Sequence, residues 1–382
     1  MPVRKKFIVL PSHASDAKET GSEDEPGIDA YPGYGPDGTE TCLVTIFAEY
    51  YDFSAFVTRQ ALWKRGWVFQ ERLMAPRTLV FGSDRIYWRC QERNVNEYLP
   101  HGLPQSGEMF DQHIKEPFTL PEIPQDDKIP ANELEIIYDK WYEVIDYYSK
   151  TDLTFPEKDK LSAMAAIARH FGFILPGRYC AGIFKSDLHF GLLWRPIYAY
   201  KGVALLKRQN WELRITIDPV RSRKYQAPSW SWASVNDRTV ARVRHTRKAW
   251  GLLADIENVS IDLQDSRNPF GQIISAELTI SGTPMSLHRL LECWTLCPSD
   301  CAGKLFDLEA SDEKLYALFI METVRQQHEE NIDGVTSRLC GVVLAHIASN
   351  RYHRRGVFEA DGSFVSNPFP KEGSNHATVV II

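Results

Sequence analysis

The chain has 382 residues, 43% of them hydrophobic, enough to build a sizeable core and long enough for two domains of ordinary size. A net charge of −6 and a pI near 6.0 exclude a general phosphate-backbone binder, which needs a basic surface. No apolar run reaches the length of a membrane span or an export signal, and seven cysteines, an odd number, fit reduced thiols better than a disulfide framework. The expectation is a soluble, cytoplasmic protein with no nucleic-acid or membrane partner.

Residues 12–40 are rich in Ser, Asp, Glu, Gly and Pro without apolar periodicity, so residues 1–40 read as a disordered arm or long loop. Trp63, Trp67, Gln70 and Met74 then fall at i, i+4, i+7 and i+11, which predicts one helix face ended by Pro76. Thr78–Phe81 and Arg85–Cys90 follow as a hairpin around residues 82–84, with Leu79, Phe81, Ile86, Trp88 and Cys90 alternating toward a common face. Prolines recur through residues 99–130, which reads as an extended connection.

The strongest helical pattern starts at an Asn132 cap and carries Leu134, Ile137, Tyr138, Trp141, Val144, Ile145 and Tyr148. A second helix begins at Pro156 and buries Leu161, Met164, Ala165, Ala168 and Phe171, with Gly172 near its end. A shorter helical segment covers residues 184–194. Beyond Pro228, residues 229–235, 251–263, 273–281, 314–322, 338–345 and 356–360 read as strands between polar turns. The predicted fold is α+β: a helical first half with a β-hairpin, then a mainly antiparallel β C-terminal half. The predicted divisions are residues 1–40, a helical and hairpin region over 41–225, and a β-rich region over 226–382 that can pack with what precedes it as one unit.

Several phrases in this sequence carry a family resemblance. Lys64-Arg65-Gly66-Trp67-Val68-Phe69-Gln70-Glu71-Arg72-Leu73-Met74-Ala75-Pro76-Arg77-Thr78-Leu79-Val80-Phe81-Gly82 resembles the RGW-x-x-QERLL-x-PR-x-L-x-FG phrase of the fungal heterokaryon-incompatibility (HET) domain family, and Tyr87-Trp88-Arg89-Cys90 its Tyr/Phe-Trp-x-Cys strand. Further matches follow in order: Trp141 through Ser149, Leu153 through Leu161, Tyr179-Cys180-Ala181-Gly182, Leu192-Leu193-Trp194, Ala227 through Val235 and Arg354 through Glu359. The resemblance spans most of residues 64–360. It implies a protein of fungal self/non-self recognition. Family members also carry an N-terminal Tyr-Cys-Trp-Gly-like strand and an Asp-Ser-x-Cys-Ile-x-Gln-Asp-like strand, in a region compared with Toll/interleukin-receptor domains and connected with NAD cleavage. Neither phrase occurs in this sequence, so that activity is not carried over.

Candidate chemistry rests on few residues. Glu71 and Arg72 are the candidate catalytic pair, a general acid or base beside a cation for an anionic oxygen, against a purely structural clamp in which Gln70 ties the hairpin to the helix. Trp67, Gln70, Trp88, Trp230 and Trp232 are candidate ligand-binding residues, with Trp230 and Trp232 expected on one side of a strand, as an aromatic wall or as core packing. Cys293, Cys297 and Cys301 match no paired zinc-ligand spacing, and Cys180 reads as a buried thiol. His346, Arg351, His353, Arg354 and Arg355 form a basic cluster at a strand turn, an anion site or a solvated edge. No P-loop, dinucleotide fingerprint or zinc-protease pair occurs, so no cofactor and no metal are expected. Two functions stand: an interaction or regulatory module with a protein partner, and a cofactor-free cyclase or isomerase of secondary metabolism taking a small hydrophobic ligand into a tryptophan-lined pocket.

Overall fold

The computed structural model describes residues 9–11, 28–34, 40–46, 61–82, 86–90, 94–97, 120–124, 129–196, 203–208, 211–219, 221, 224–236, 240–242, 250–294, 313–324, 337–361 and 376–382. The chain divides into one unit of Met1–Arg59 with Gln105–Glu116 and a larger one of Gln60–Pro104 with Pro117–Ile382. In the smaller unit, β1 (Val9–Pro11), β2 (Ile28–Tyr34) and β3 (Glu40–Ile46) form a sheet in the order β1-β3-β2. The strands β1 and β2 both fall inside the stretch expected to be an arm or long loop, and β2 makes the longer pairing. Its composition is that of a loop, but the pairing of Ile28 with Ile46 and Ala30 with Val44 satisfies its backbone, and a local composition rule does not register a partner strand.

The larger unit is α+β, with its helices mostly between residues 61 and 191 and a mainly antiparallel, nearly closed β-barrel sheet after them. A 3₁₀ turn at Ala61–Lys64 leads into α1 (Gly66–Met74), then β4 (Arg77–Phe81), β5 (Ile86–Cys90) and β6 (Asn94–Asn96), which make a three-stranded antiparallel sheet in that order. The long helix α2 (Ala131–Ser149) buries Tyr138, Trp141, Val144, Ile145 and Tyr148, as its spacing predicts, and Tyr142 besides, while Leu134 and Ile137 are half-buried. Its N-cap is Pro130 rather than Asn132, and it has no side-chain cap bond.

The helix expected from Pro156 is broken into α3 (Pro156–Asp159), a 3₁₀ turn at Ser162–Met164 and α4 (Ala165–Gly172). Of the predicted apolar stripe, Leu161, Met164, Ala168 and Phe171 are buried all the same and Ala165 is half-buried. β7 (Tyr179–Cys180), β8 (Ile183–Phe184), α5 (Leu188–Gly191) and β9 (Trp194–Pro196) complete the helical half.

The C-terminal half is built from β10 (Val203–Arg208), β11 (Trp211–Ile217), β12 (Val240–Arg242), β13 (Trp250–Leu252), β14 (Asp255–Leu263), β15 (Ile273–Gly282), β16 (Pro284–Ser286), α6 (Leu287–Trp294), β17 (Leu315–Val324), β18 (Ser337–Ala348), β19 (Arg351–Asp361) and β20 (Ala377–Ile381). Ten of these strands share one sheet with the path β13-β17-β18-β19-β20-β15-β14, while β12 pairs with β9. β13 and β14 stand at opposite ends of that path yet are consecutive in the chain, joined by Leu253 and Ala254, so the sheet curls toward closure.

Both faces of the sheet are covered. Leu318, Ile320, Cys340, Val342 and Leu344 belong to a core continuous with Trp141, Phe171, Trp194 and Trp232 of the helical half, whereas Ala317, Phe319, Leu339, Val343 and Phe358 pack with Leu287 and Leu290 of α6 and with Leu213 and Ile215 of β11. The helical and β-rich regions within this unit therefore share one core, as the sequence allows.

Residues 229–235 do not form the strand predicted from their alternation. Ser229 and Trp230 lie in a turn and Trp232–Ser234 in a 3₁₀ helix, because the Ser231 hydroxyl accepts from Ala233 N at 3.0 Å and closes the turn. Both indoles are buried, but not side by side on a pleated wall.

Candidate functional site

The residues singled out in the sequence separate into two places: a solvent-facing surface on α1 and the hairpin, and a buried polar network beneath the Ser-Trp-Ser-Trp segment.

α1 starts where the chain is pinched against the residues after α2. Gly66 N donates to Asp152 O at 3.0 Å, Asp152 N donates to Lys64 O at 2.6 Å, and a Cβ on Gly66 would lie 2.5 Å from Leu153 Cδ2. From there Phe69 enters the core, its ring 5.8 Å from that of Tyr148, which stands 6.0 Å from Trp232. Gln70 is half-buried, and its Oε1 accepts from Ala166 N at 2.7 Å, so it fastens α1 to the first turn of α4 rather than to the hairpin. The Arg72 guanidinium lies 4.6 Å from the Trp63 ring centre and 5.4 Å from that of Phe69. Glu71 is exposed.

The four residues expected on one face of this helix separate, with Trp63 buried and Gln70 half-buried. Trp63, Phe69 and Leu73 face the core, while Trp67 and Met74 face solvent.

The hairpin shows the converse. Its register pairs Leu79 with Trp88 and Phe81 with Ile86, so the four do share a face, as alternation predicts, and Trp88 also pairs with Val95 of β6. That face is open: Phe81 is 75% exposed, Leu79 50%, Trp88 38% and Ile86 36%. The buried residue of β5 is Tyr87, on the other side. Alternation identifies a face but not which side is wet when both sides carry aromatics.

The second place is dry. The Arg354 side chain is fully buried; its Nη1 donates to Asp218 Oδ2 at 2.5 Å, its Nη2 donates to the Trp194 carbonyl, and its Cζ lies 3.8 Å from the Trp194 ring centre. Arg221 Nη2 reaches the same Asp218 oxygen at 2.8 Å and the Ser229 carbonyl at 3.0 Å, while Ser229 Oγ accepts from Arg354 N at 2.9 Å. Burial lowers the Arg354 guanidinium to about 10, with Asp218 opposing the shift.

Around this pair, Trp194 Nε1 donates to Trp230 O at 2.9 Å, Trp232 Nε1 to Gly182 O at 2.9 Å, Ser231 Oγ to Ala181 O at 2.5 Å, and Tyr148 OH to Lys160 O at 2.8 Å. Several of the phrases quoted above are thus brought together, with Tyr148, Trp194, Ser231 and Trp232 each satisfying a backbone carbonyl of another. Trp232 fills its space: Gly182, at φ +99°, would place a Cβ 2.5 Å from Trp232 Nε1. Asp218 and Arg221 belong to no motif in the sequence, standing on either side of Pro219-Val220 after β11.

The remaining candidates have local explanations. Burial pushes the Cys180 and Cys340 thiols up, away from thiolate. The Cys293 side chain, Cys297 and Cys301 lie outside the described residues, among which no group of three His, Cys, Asp or Glu is arranged to hold a metal. In the basic cluster, Arg351 pairs with Glu277, Arg355 with Glu313 and Arg354 with Asp218.

The fold and its two sites define an α+β protein with a nearly closed sheet, a polar-laced aromatic core and one apolar surface on a small hairpin sheet. Comparison with family models, curated proteins and solved structures finds no match.

Proposed function

We propose that this chain is a HET-related fungal protein acting as an interaction or regulatory module in self/non-self recognition. The observation that carries the reading is the open face of Leu79, Phe81, Ile86 and Trp88, since contiguous exposed apolar surface with aromatic residues is a mark of binding surfaces. The other candidate residues support it by their placement: Trp230 and Trp232 are packed into the core and Glu71 stands in solvent. Glu71 on the surface and the two indoles in the core do not meet in one place.

The test compares the tagged chain with its Phe81→Glu/Trp88→Glu double variant in a filamentous fungus, using in-cell crosslinking and quantitative mass spectrometry. A discrete set of partners lost in the double variant, with near-ultraviolet circular dichroism otherwise unchanged, is the expected result. An identical set in both, or turnover of lipophilic polyketide or terpenoid precursors by the purified chain, overturns it.

A further inference from the structure

We infer that the hairpin sheet binds an extended, acidic and apolar segment of a partner protein, which adds as a strand to the outer edge of β4; this rests on the interaction reading above. Three features of the surface point there.

The first is the edge itself. β4 ends the order β4-β5-β6, and among the described residues no strand pairs with its outer side. Exposed edges in native proteins are blunted by bulges, prolines or inward charges. β4 has none of these over Thr78–Phe81: its pairing with β5 runs without a register shift, Pro76 precedes the strand, and Arg77 is its only charge. An undefended edge presents backbone donors and acceptors to an incoming strand, the mode of recognition in which main-chain bonds supply affinity and alternate side chains supply specificity.

The second is charge. Residues 61–97 carry seven basic residues against four acidic ones, a net of +3 in a chain of net −6. Arg77 stands on the apolar face itself, two residues before Leu79. A second copy meeting this one face to face would bring like charge against like charge, whereas an acidic segment is complementary.

The third is size. With Phe81 75% exposed, Leu79 50%, Trp88 38% and Ile86 36%, the face offers on the order of 400 Å². That is about half of what each side of a stable protein–protein interface buries, and it suits a short segment held transiently rather than a folded partner held permanently.

The experiment titrates the full chain into a fluorescein-labelled synthetic peptide, Glu-Val-Glu-Phe-Glu-Val-Glu, followed by anisotropy. Saturable binding in the micromolar range is expected, weakening about tenfold between 50 and 300 mM salt. It should fall at least tenfold with Phe81→Glu in the protein, with lysine for glutamate in the peptide, or with proline in place of the central phenylalanine. Because the last two changes are made in the probe, the folding of the protein does not enter.

Equal binding of the lysine peptide overturns the charge match, and equal binding of the proline peptide overturns strand addition. Depletion of the chain by phosphatidylserine vesicles without peptide binding assigns the face to membrane, and a concentration-dependent dimer abolished by Phe81→Glu assigns it to a second copy; either overturns the inference. If fungal partners depend on Phe81 and Trp88 while the peptide does not bind, the inference fails and the interaction reading stands.

Discussion

Replacing Arg354 with methionine removes the cation that joins β19 to the chain after β11 and to Trp194. The substitution keeps much of the volume and strands Asp218, whose side chain is 1% exposed. Breaking a buried pair by removing one partner costs ~3–5 kcal/mol, because it leaves a charge without compensation. Here the lower end applies, since Arg221 still holds the same carboxylate oxygen at 2.8 Å, so about 3 kcal/mol is expected. Asp218→Asn leaves two guanidinium groups facing a neutral amide, one of them fully buried, and should cost about 4–5 kcal/mol. The double variant should lose about 5 kcal/mol rather than the 7–8 of simple addition, a coupling of ~2–3 kcal/mol. Urea titration at pH 7.5, followed by tryptophan fluorescence, measures all four proteins. Losses that add to within ~0.5 kcal/mol, or an Arg354→Met cost below ~1 kcal/mol, would refute the reading of this network as one unit.

Other substitutions probe neighbouring contacts. Gly182→Ala combines a left-handed backbone at φ +99° with a Cβ 2.5 Å from Trp232 Nε1, so a loss of ~2–4 kcal/mol is expected in the same titration. Gln70→Leu removes the acceptor for Ala166 N and should cost ~1–2 kcal/mol, whereas Glu71→Gln, in solvent on the same helix, should stay within ~0.5 kcal/mol; similar losses for both would contradict the separation of their roles. Burial lowers the His189 pKa, so the folded state binds its proton less readily than the unfolded chain. Its contribution is therefore complete above the ordinary value of 6.5 and is lost as pH falls below it. Melting temperature measured from pH 8 to pH 5 should decline less steeply in His189→Gln than in the parent protein.

Much of the architecture was legible in the sequence because it is written in periodicity. The spacing of Trp141, Val144, Ile145 and Tyr148 defined the long helix, and alternation over residues 273–281 and 338–345 defined central strands. What could not be read were choices settled by distant partners. Residues 203–208 and 377–381 become strands by pairing with β11 and β15, and nothing local marks those registers. Ser229–Val235 alternates as a strand should, yet the Ser231 hydroxyl and the carbonyls at Ala181 and Gly182 hold it in a turn. At the candidate surface, alternation grouped Leu79, Phe81, Ile86 and Trp88 on one face but left open which side meets water, since Tyr87 and Trp88 are equally plausible core residues until something packs on one of them.

The position of β20 constrains when the barrel can exist. It is the last described strand in chain order, but it sits inside the sheet, antiparallel to β15 through Leu278–Ile381 and parallel to β19 through Tyr352–Ile381. Until residues 377–381 have left the ribosome, no strand pairs β15 with β19, and the curl begun by the short connection from β13 to β14 stays open on that side. Closure of the sheet through β20 therefore follows synthesis of residue 381, whereas β17, β18 and β19 have their own partners before it. A chain that ended before β20 would lose the closure of the whole sheet, a penalty out of proportion to five residues.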